Sequence, residues 1–150
     1  MRAIATIRLF LLVFVTAASP ALAQFPGGPD PQELAAFARE VGIDDVGGFV
    51  DTVVSLRQTG RLPERYVTKA AARAHGWRGG GLCPVWPGHI IGGDIFHNFS
   101  EELPDAPARV WREADLDVTC RSRGPKRLIY SNDGLIDVTI DHYTTFVPVP

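Results

Sequence analysis

Arg127-Leu128-Ile129-Tyr130-Ser131-Asn132-Asp133-Gly134-Leu135-Ile136-Asp137-Val138-Thr139-Ile140 carries a strong hairpin signal. Two runs of aliphatic, aromatic and β-branched residues flank Asn132-Asp133-Gly134. Asn, Asp and Gly tolerate the positive φ angles that a tight hairpin turn demands. The stretch predicts two strands, Arg127 to Ser131 and Leu135 to Ile140, folded back on each other. Upstream, Val110 to Val118 alternates in the same manner. Val110, Arg112, Ala114, Leu116 and Val118 face one way; Trp111, Glu113, Asp115 and Asp117 face the other. Ile90 to Phe96 is a further short apolar run.

Before residue 89 the periodicity is helical. Pro31 to Val41 places Leu34, Phe37, Ala38 and Val41 on one stripe. Asp45 to Gln58 does the same with Val46, Phe49, Val50, Val53, Val54 and Leu56, and Gly60 ends it. Thr68 caps a third helix, Lys69 to Ala74, which Gly76 stops. The Gly- and Pro-rich segment from Arg78 to Gly88 is a loop. Helices followed by runs of strands define the α+β class, with N-terminal helices packed on a C-terminal antiparallel sheet of about five strands.

A chain of 150 residues with 45% apolar content is sized for one domain. Residues 1–23 read as a secretory signal. Arg2 and Arg8 precede the apolar run Leu9 to Val15, and Pro20 leads to the small-residue site Ala21-Leu22-Ala23. That run is short of the roughly 20 residues a transmembrane helix needs. Cleavage after Ala23 leaves thirteen basic against seventeen acidic side chains, a net charge of −4. The mature protein is expected to be secreted or periplasmic, free of the membrane and monomeric. Its charge excludes a generally basic nucleic-acid coat protein. Residues 24–42 form a flexible lead-in with room for an extra helix, and residues 43–150 form the main domain.

Export also bears on Cys83 and Cys120. An even pair in a small exported chain favours a structural disulfide, which would stabilise by roughly 4 kcal/mol in the chain-entropy model. A zinc site with His89 or His97 is the competing arrangement, but neither CxxC nor HxxxH spacing is present. Two free thiols is the third reading.

The chemistry is concentrated where an acidic strand meets a basic turn. Glu113, Asp115 and Asp117 share one strand face, and Arg121, Arg123, Lys126 and Arg127 follow at once. One reading is a structural ion-pair network. The other is an anion site in which one carboxylate stays free for proton transfer. Asp141-His142-Tyr143 ends the last long strand, and His is the side chain suited to acid–base work near neutrality. A carboxylate base, a His acid and cations are the minimum kit for cleaving RNA without a metal.

An ordered set of short motifs selects that reaction. It begins with Leu62-Pro63, Tyr66-Val67-Thr68-Lys69, Ala72, Ala74 and Gly76-Trp77. Ile91-Gly92-Gly93-Asp94-Ile95-Phe96 with Asn98, Leu103-Pro104 and Trp111-Arg112-Glu113-Ala114-Asp115 follow. Thr119, Arg123, Arg127, Tyr130-Ser131, Asp133, Leu135-Ile136, Asp141-His142-Tyr143 and Thr145-Phe146 complete it. From Leu62 to Phe146 this order and spacing resembles the barnase family of small secreted bacterial ribonucleases. The resemblance implies that Glu113 is the general base toward the ribose 2′-hydroxyl and His142 the general acid toward the 5′-oxygen. Arg123, Arg127 and Lys69 would hold the scissile phosphate, and Tyr143 would line the substrate site. Asp94 and Asp115 would be supporting residues, Asp115 by pairing with the arginines. No cofactor or metal is implied. The loops carrying Cys83 and Cys120 would lie near each other.

The chain departs from the family in the loop that reads the base. Relatives carry Ser-Asn-Arg-Glu there, whose Glu pairs with guanine; this chain has His97-Asn98-Phe99-Ser100 after Phe96. Either Glu101, one residue further on, takes over that pairing, or guanine preference is weakened and Phe99 stacks on bases or packs within its loop. RNA is the expected substrate and a barstar-like protein inhibitor an expected partner. The alternative to a secreted endoribonuclease is an inactive extracellular binding module that retains the fold.

Overall fold

The computed structural model describes residues 30–150; the proposed signal segment and residues 24–29 lie outside it. Helix α1 (Pro31–Glu40) starts at Asp30, whose carboxylate accepts the Gln32 amide at 3.0 Å. Helix α2 (Val46–Thr59) is capped by Asp45 through the Gly48 amide at 2.9 Å. It ends at Gly60, whose φ of 69° places it in the left-handed region. Strand β1 (Tyr66–Val67) leads to the short helix α3 (Lys69–Ala74), where the Thr68 hydroxyl accepts the Ala71 amide. Strands β2 (Ile90–Ile95), β3 (Trp111–Asp115), β4 (Arg127–Ser131), β5 (Ile136–Thr139) and β6 (Val147–Pro148) follow.

The six strands form one sheet in chain order, antiparallel from β2 to β6. The expected antiparallel sheet is thus present, but β1 joins its edge in parallel, Tyr66 opposite Ile90. Its partner is reached through α3 and the Gly-rich loop, a crossover that sequence periodicity does not reveal. The two-residue strand β6 is a further addition, and its Pro148 suits a sheet edge. The hairpin ends one residue tighter than expected on each side of β5, leaving Leu135 and Ile140 exposed.

The principal core joins α1 and α2 to one face of the sheet. Leu34, Ala38, Phe49 and Val53 pack against Ala114, Leu116, Leu128 and Val138. Truncating Phe49 to Ala would cost about 3–5 kcal/mol at such a site. Helix α1 therefore contributes to the core. Two smaller clusters matter more for chemistry. Ala72, Trp77, Leu82 and Ile91 fix α3 beside β2. Leu103, Trp111 and Ile129, with Phe96, Tyr143 and Phe146, cover the other face of the sheet.

That second cover lies over β3. The face of Trp111, Glu113 and Asp115, opposite that of Ala114, is buried beneath it. The strand ends earlier than expected. Asp117 has left it, with φ at 51°, and its carboxylate accepts the amides of Asp44 and Asp45 at 2.8 Å each.

Candidate active site

Glu113 lies at the centre of β3, opposite Asp94 on β2 and Ile129 on β4. Its Oε1 accepts from the Lys69 ammonium and its Oε2 from the Tyr143 phenol, both at 2.5 Å. Burial alone would push its carboxyl up. The two hydrogen bonds and the charges of Lys69 and Arg123 outweigh this and hold it below the usual carboxylate range. Burial and the bond to Glu113 push the Tyr143 phenol up to about 12, so it stays a donor.

Asp94 is aimed by the sheet itself. The ladder is irregular between Gly92 and Asp94, and Gly93 has φ at 96°. A Cβ on Gly92 would meet the Tyr66 ring at 2.5 Å, so only glycine lets the backbone approach here. Asp94 Oδ2 accepts the backbone amide of Lys69 at 2.9 Å. It fixes the start of α3, and that start presents the ammonium to Glu113. Asp94 thereby orients the residue that donates to Glu113.

Asp115, 1% exposed, binds the two arginines. Arg123 approaches it in bidentate fashion, Nε to Oδ2 at 2.6 Å and Nη2 to Oδ1 at 2.7 Å. Arg127 Nε lies 3.0 Å from Oδ1 as an ion pair without hydrogen-bond alignment. Burial pushes the Asp115 carboxyl up, while the two guanidiniums oppose that shift. The arginines differ in access: the Arg123 side chain is 21% exposed and that of Arg127 only 4%. Arg127 Nη1 is spent on the carbonyls of Arg123, Gly124 and Lys126. Its charge is therefore fixed beneath the site, whereas Arg123 offers donors to a ligand.

His142 and Tyr143 sit on a turn after β5, both left-handed with φ at 57° and 71°. Asp141 ties the turn together. Its Oδ1 accepts from the Thr139 hydroxyl and the amides of Thr144 and Thr145, and its Oδ2 from the Thr145 hydroxyl. These bonds lower the Asp141 carboxyl to about 2. The Thr139 hydroxyl accepts the Tyr143 amide at 2.9 Å. The exposed imidazole of His142 lies 4.9 Å, centroid to centroid, from the Tyr143 ring, whose hydroxyl touches Glu113. Base and acid candidates thus meet across a single tyrosine. Sequence reasoning named the His and Tyr but missed Asp141 as the residue that strains them into place; its signal was the Asp-x-x-Thr-Thr spacing of a side-chain-capped turn.

The loop expected to read the base springs from the same cluster. Phe96 stacks on Tyr143 at 5.3 Å between centroids. Asn98, expected at the substrate, instead bonds Leu103 through both ends of its amide and closes the loop on itself. Phe99 is 88% exposed and stacks on His97 at 5.2 Å. Glu101 is exposed, with φ at 57°.

Two members of the charge cluster are elsewhere. Lys126 binds Asp44, Asp117 and the Gly42 carbonyl, so it and Asp117 clamp the α1–α2 corner to the sheet. Cys83 and Cys120 are joined in a disulfide, their Cα atoms 4.9 Å apart, and so neither is a metal ligand or a free thiol. Among the described residues, no three His, Cys, Asp or Glu side chains converge as a metal centre requires.

A carboxylate held ionised, cations around a second, buried carboxylate and a His on the turn after β5 are thus gathered around Tyr143 and Arg123. A protein-family model described as ribonuclease matches residues 50–150. The chain belongs to this ribonuclease family. A ribonuclease from Heyndrickxia coagulans is 43% identical over 109 residues, 71% of this chain and 97% of that protein. Ribonucleases from Bacillus intermedius and Bacillus pumilus are each 43% identical over 109 residues, 65% of their own length. The expected kinship with barnase-like enzymes and the α+β fold both stand, and the protein is an endoribonuclease.

Proposed function

We propose that this ribonuclease cleaves RNA by internal transesterification, without a metal. Glu113 takes the proton of the ribose 2′-hydroxyl, and the 2′-oxygen attacks phosphorus. The bond to the 5′-oxygen breaks as His142 gives that oxygen its proton, leaving a 2′,3′-cyclic phosphate and a 5′-hydroxyl. Arg123 receives the phosphate, with Lys69 and the buried charge of Arg127 stabilising the phosphorane. The observation carrying this reading is the Lys69–Glu113–Tyr143 arrangement, which keeps the base ionised beside the cations without neutralising it.

Two finer properties follow from the same reasoning. Asn98 is occupied within its loop and Phe99 is exposed on His97, which favours sequence-tolerant stacking over recognition of one base edge. Residues 1–23 have the pattern of an export signal, so the mature enzyme acts outside the cytoplasm as a monomer. A producer then needs a cytosolic inhibitor of the barstar type for chains retained inside. The test is digestion of a labelled RNA in EDTA by the chain from Gln24 to Pro150, beside Glu113→Ala. Cyclic-phosphate ends from the wild type alone support the mechanism. Equal cleavage by a folded Glu113→Ala, or dependence on added metal, refutes it.

A further inference from the structure

The loop between β3 and β4 has no regular structure, yet it sets both arginines. It carries Arg123, and its carbonyls at Arg123, Gly124 and Lys126 receive Nη1 of Arg127. Lys126 anchors its base. Its far end, Thr119 to Arg121, meets the Gly-rich loop that follows α3. A Cβ on Gly81 would lie 2.4 Å from the Cys120 carbonyl and 2.5 Å from that of Thr119; on Gly80 it would lie 2.8 Å from the Arg121 carbonyl. Glycine permits this approach, but glycine also loses the most conformational entropy on ordering. Among the described residues, no backbone hydrogen bond joins the two loops. The Cys83–Cys120 bridge holds them together.

The contact closes on the active site through Trp77. Its indole N–H donates to the Gly80 carbonyl at 3.0 Å, and its ring lies under the Arg123 guanidinium at 5.9 Å. Trp77, the glycines, the disulfide and Arg123 form one closed circuit, with the bridge as its covalent link.

We propose that the Cys83–Cys120 disulfide is a positioning device for the phosphate-binding arginines, so that the ribonuclease reaches full activity only when oxidised. The inference rests on the phosphate role given above to Arg123 and Arg127. A dithiol reductant would attack one Sγ, pass through a mixed disulfide and close to its own disulfide, leaving Cys83 and Cys120 as thiols after transfer of two electrons and two protons. The principal core takes only Leu116, at the base of the β3–β4 loop, from these two loops, so helices and sheet persist after reduction. The freed loop lets Arg123 leave Trp77 and withdraws the carbonyls from Arg127. In a reducing cytosol the enzyme is thereby attenuated, and it matures in an oxidising compartment.

The experiment compares oxidised wild type, dithiothreitol-reduced wild type and Cys83→Ser/Cys120→Ser. The readouts are far-UV circular dichroism, kcat and KM on a short RNA, and the affinity for inorganic phosphate by titration. The expected result is an unchanged fold, a kcat lowered by about tenfold to 10²-fold, and weaker phosphate binding. Reoxidation restores the wild type and leaves the Ser variant low. A reduced, folded protein with kcat and phosphate affinity within about twofold of the oxidised form overturns the proposal. If the reduced forms unfold, oxidised Gly81→Ala decides: it keeps the bridge but forces the loops apart, and undiminished kcat there is equally fatal. If oxidised wild type does not cut RNA, the functional reading fails by itself, and phosphate affinity still tests the positioning.

Discussion

Asp115→Asn offers the sharpest test of how the site is held, because the protein contains its own control. Two Arg–Asp pairs share a bidentate geometry. Arg123 bonds Asp115 through Nε and Nη2 at 2.6 and 2.7 Å; Arg109 bonds Asp133 through Nε at 3.0 Å and Nη2 at 2.7 Å. Their surroundings differ: the Asp115 side chain is 1% exposed and faces a second guanidinium, whereas that of Asp133 is 44% exposed. Removing the Asp115 charge leaves two cations facing an uncharged amide in a buried setting, at a cost of about 3–5 kcal/mol. Against a total stability of about 5–15 kcal/mol, that is a large share. For a domain of this size it lowers Tm by roughly 10–20 °C. Asp133→Asn is expected to leave Tm within experimental error, since water screens that pair. Both variants would be followed by urea and thermal unfolding using Trp fluorescence, with the disulfide intact. If the two shift the midpoint equally, or if Asp115→Asn unfolds with the wild type, burial is not what gives this pair its strength and the reasoning is wrong. Added phosphate should recover part of the Asp115→Asn loss by neutralising the arginines.

Other consequences concern the proton-transfer groups. Glu113→Ala and His142→Ala should each lower kcat by about 10²-fold or more while melting as cooperatively as the wild type; near-normal turnover in either removes that residue from its role. The pH profile of kcat/KM should be bell-shaped, with an acid limb below the usual carboxylate range because Glu113 is held low. Tyr143→Phe deletes one of the bonds that lower Glu113, so its acid limb should move to higher pH; an unmoved limb excludes the phenol as a tuning group. Asp141, lowered to about 2, contributes to its turn fully above the ordinary carboxylate value and loses that contribution as pH falls toward about 2. Protection of the Thr144 and Thr145 amides, measured against their intrinsic exchange rates, should therefore fall over that window, and Asp141→Ala should show the low protection already at neutral pH.

Local chemistry made much of this protein legible from its residues. Asn132-Asp133-Gly134 implies a hairpin wherever it falls between two apolar runs, and Asp45, Thr68 and Gly60 mark helix ends through bonds to their near neighbours. Glu113 and Asp115 share a face because strand side chains alternate. Each such signal acts over a few residues and survives without tertiary context. Which carboxylate is held ionised at the site is another matter. Asp117 had the same alternation as Glu113 and Lys126 the same charge as Lys69, yet both are consumed by the α1–α2 corner. Glu113 is tuned by Lys69, which lies 44 residues before it, and by Tyr143, 30 residues after it. Burial separates Arg127 from Arg123, and a knot of threonines around Asp141 bends His142 into a left-handed turn. A carboxylate's proton affinity depends on the charges, donors and water within a few ångströms. Those neighbours come from distant parts of the chain, and only the packed tertiary structure brings them together.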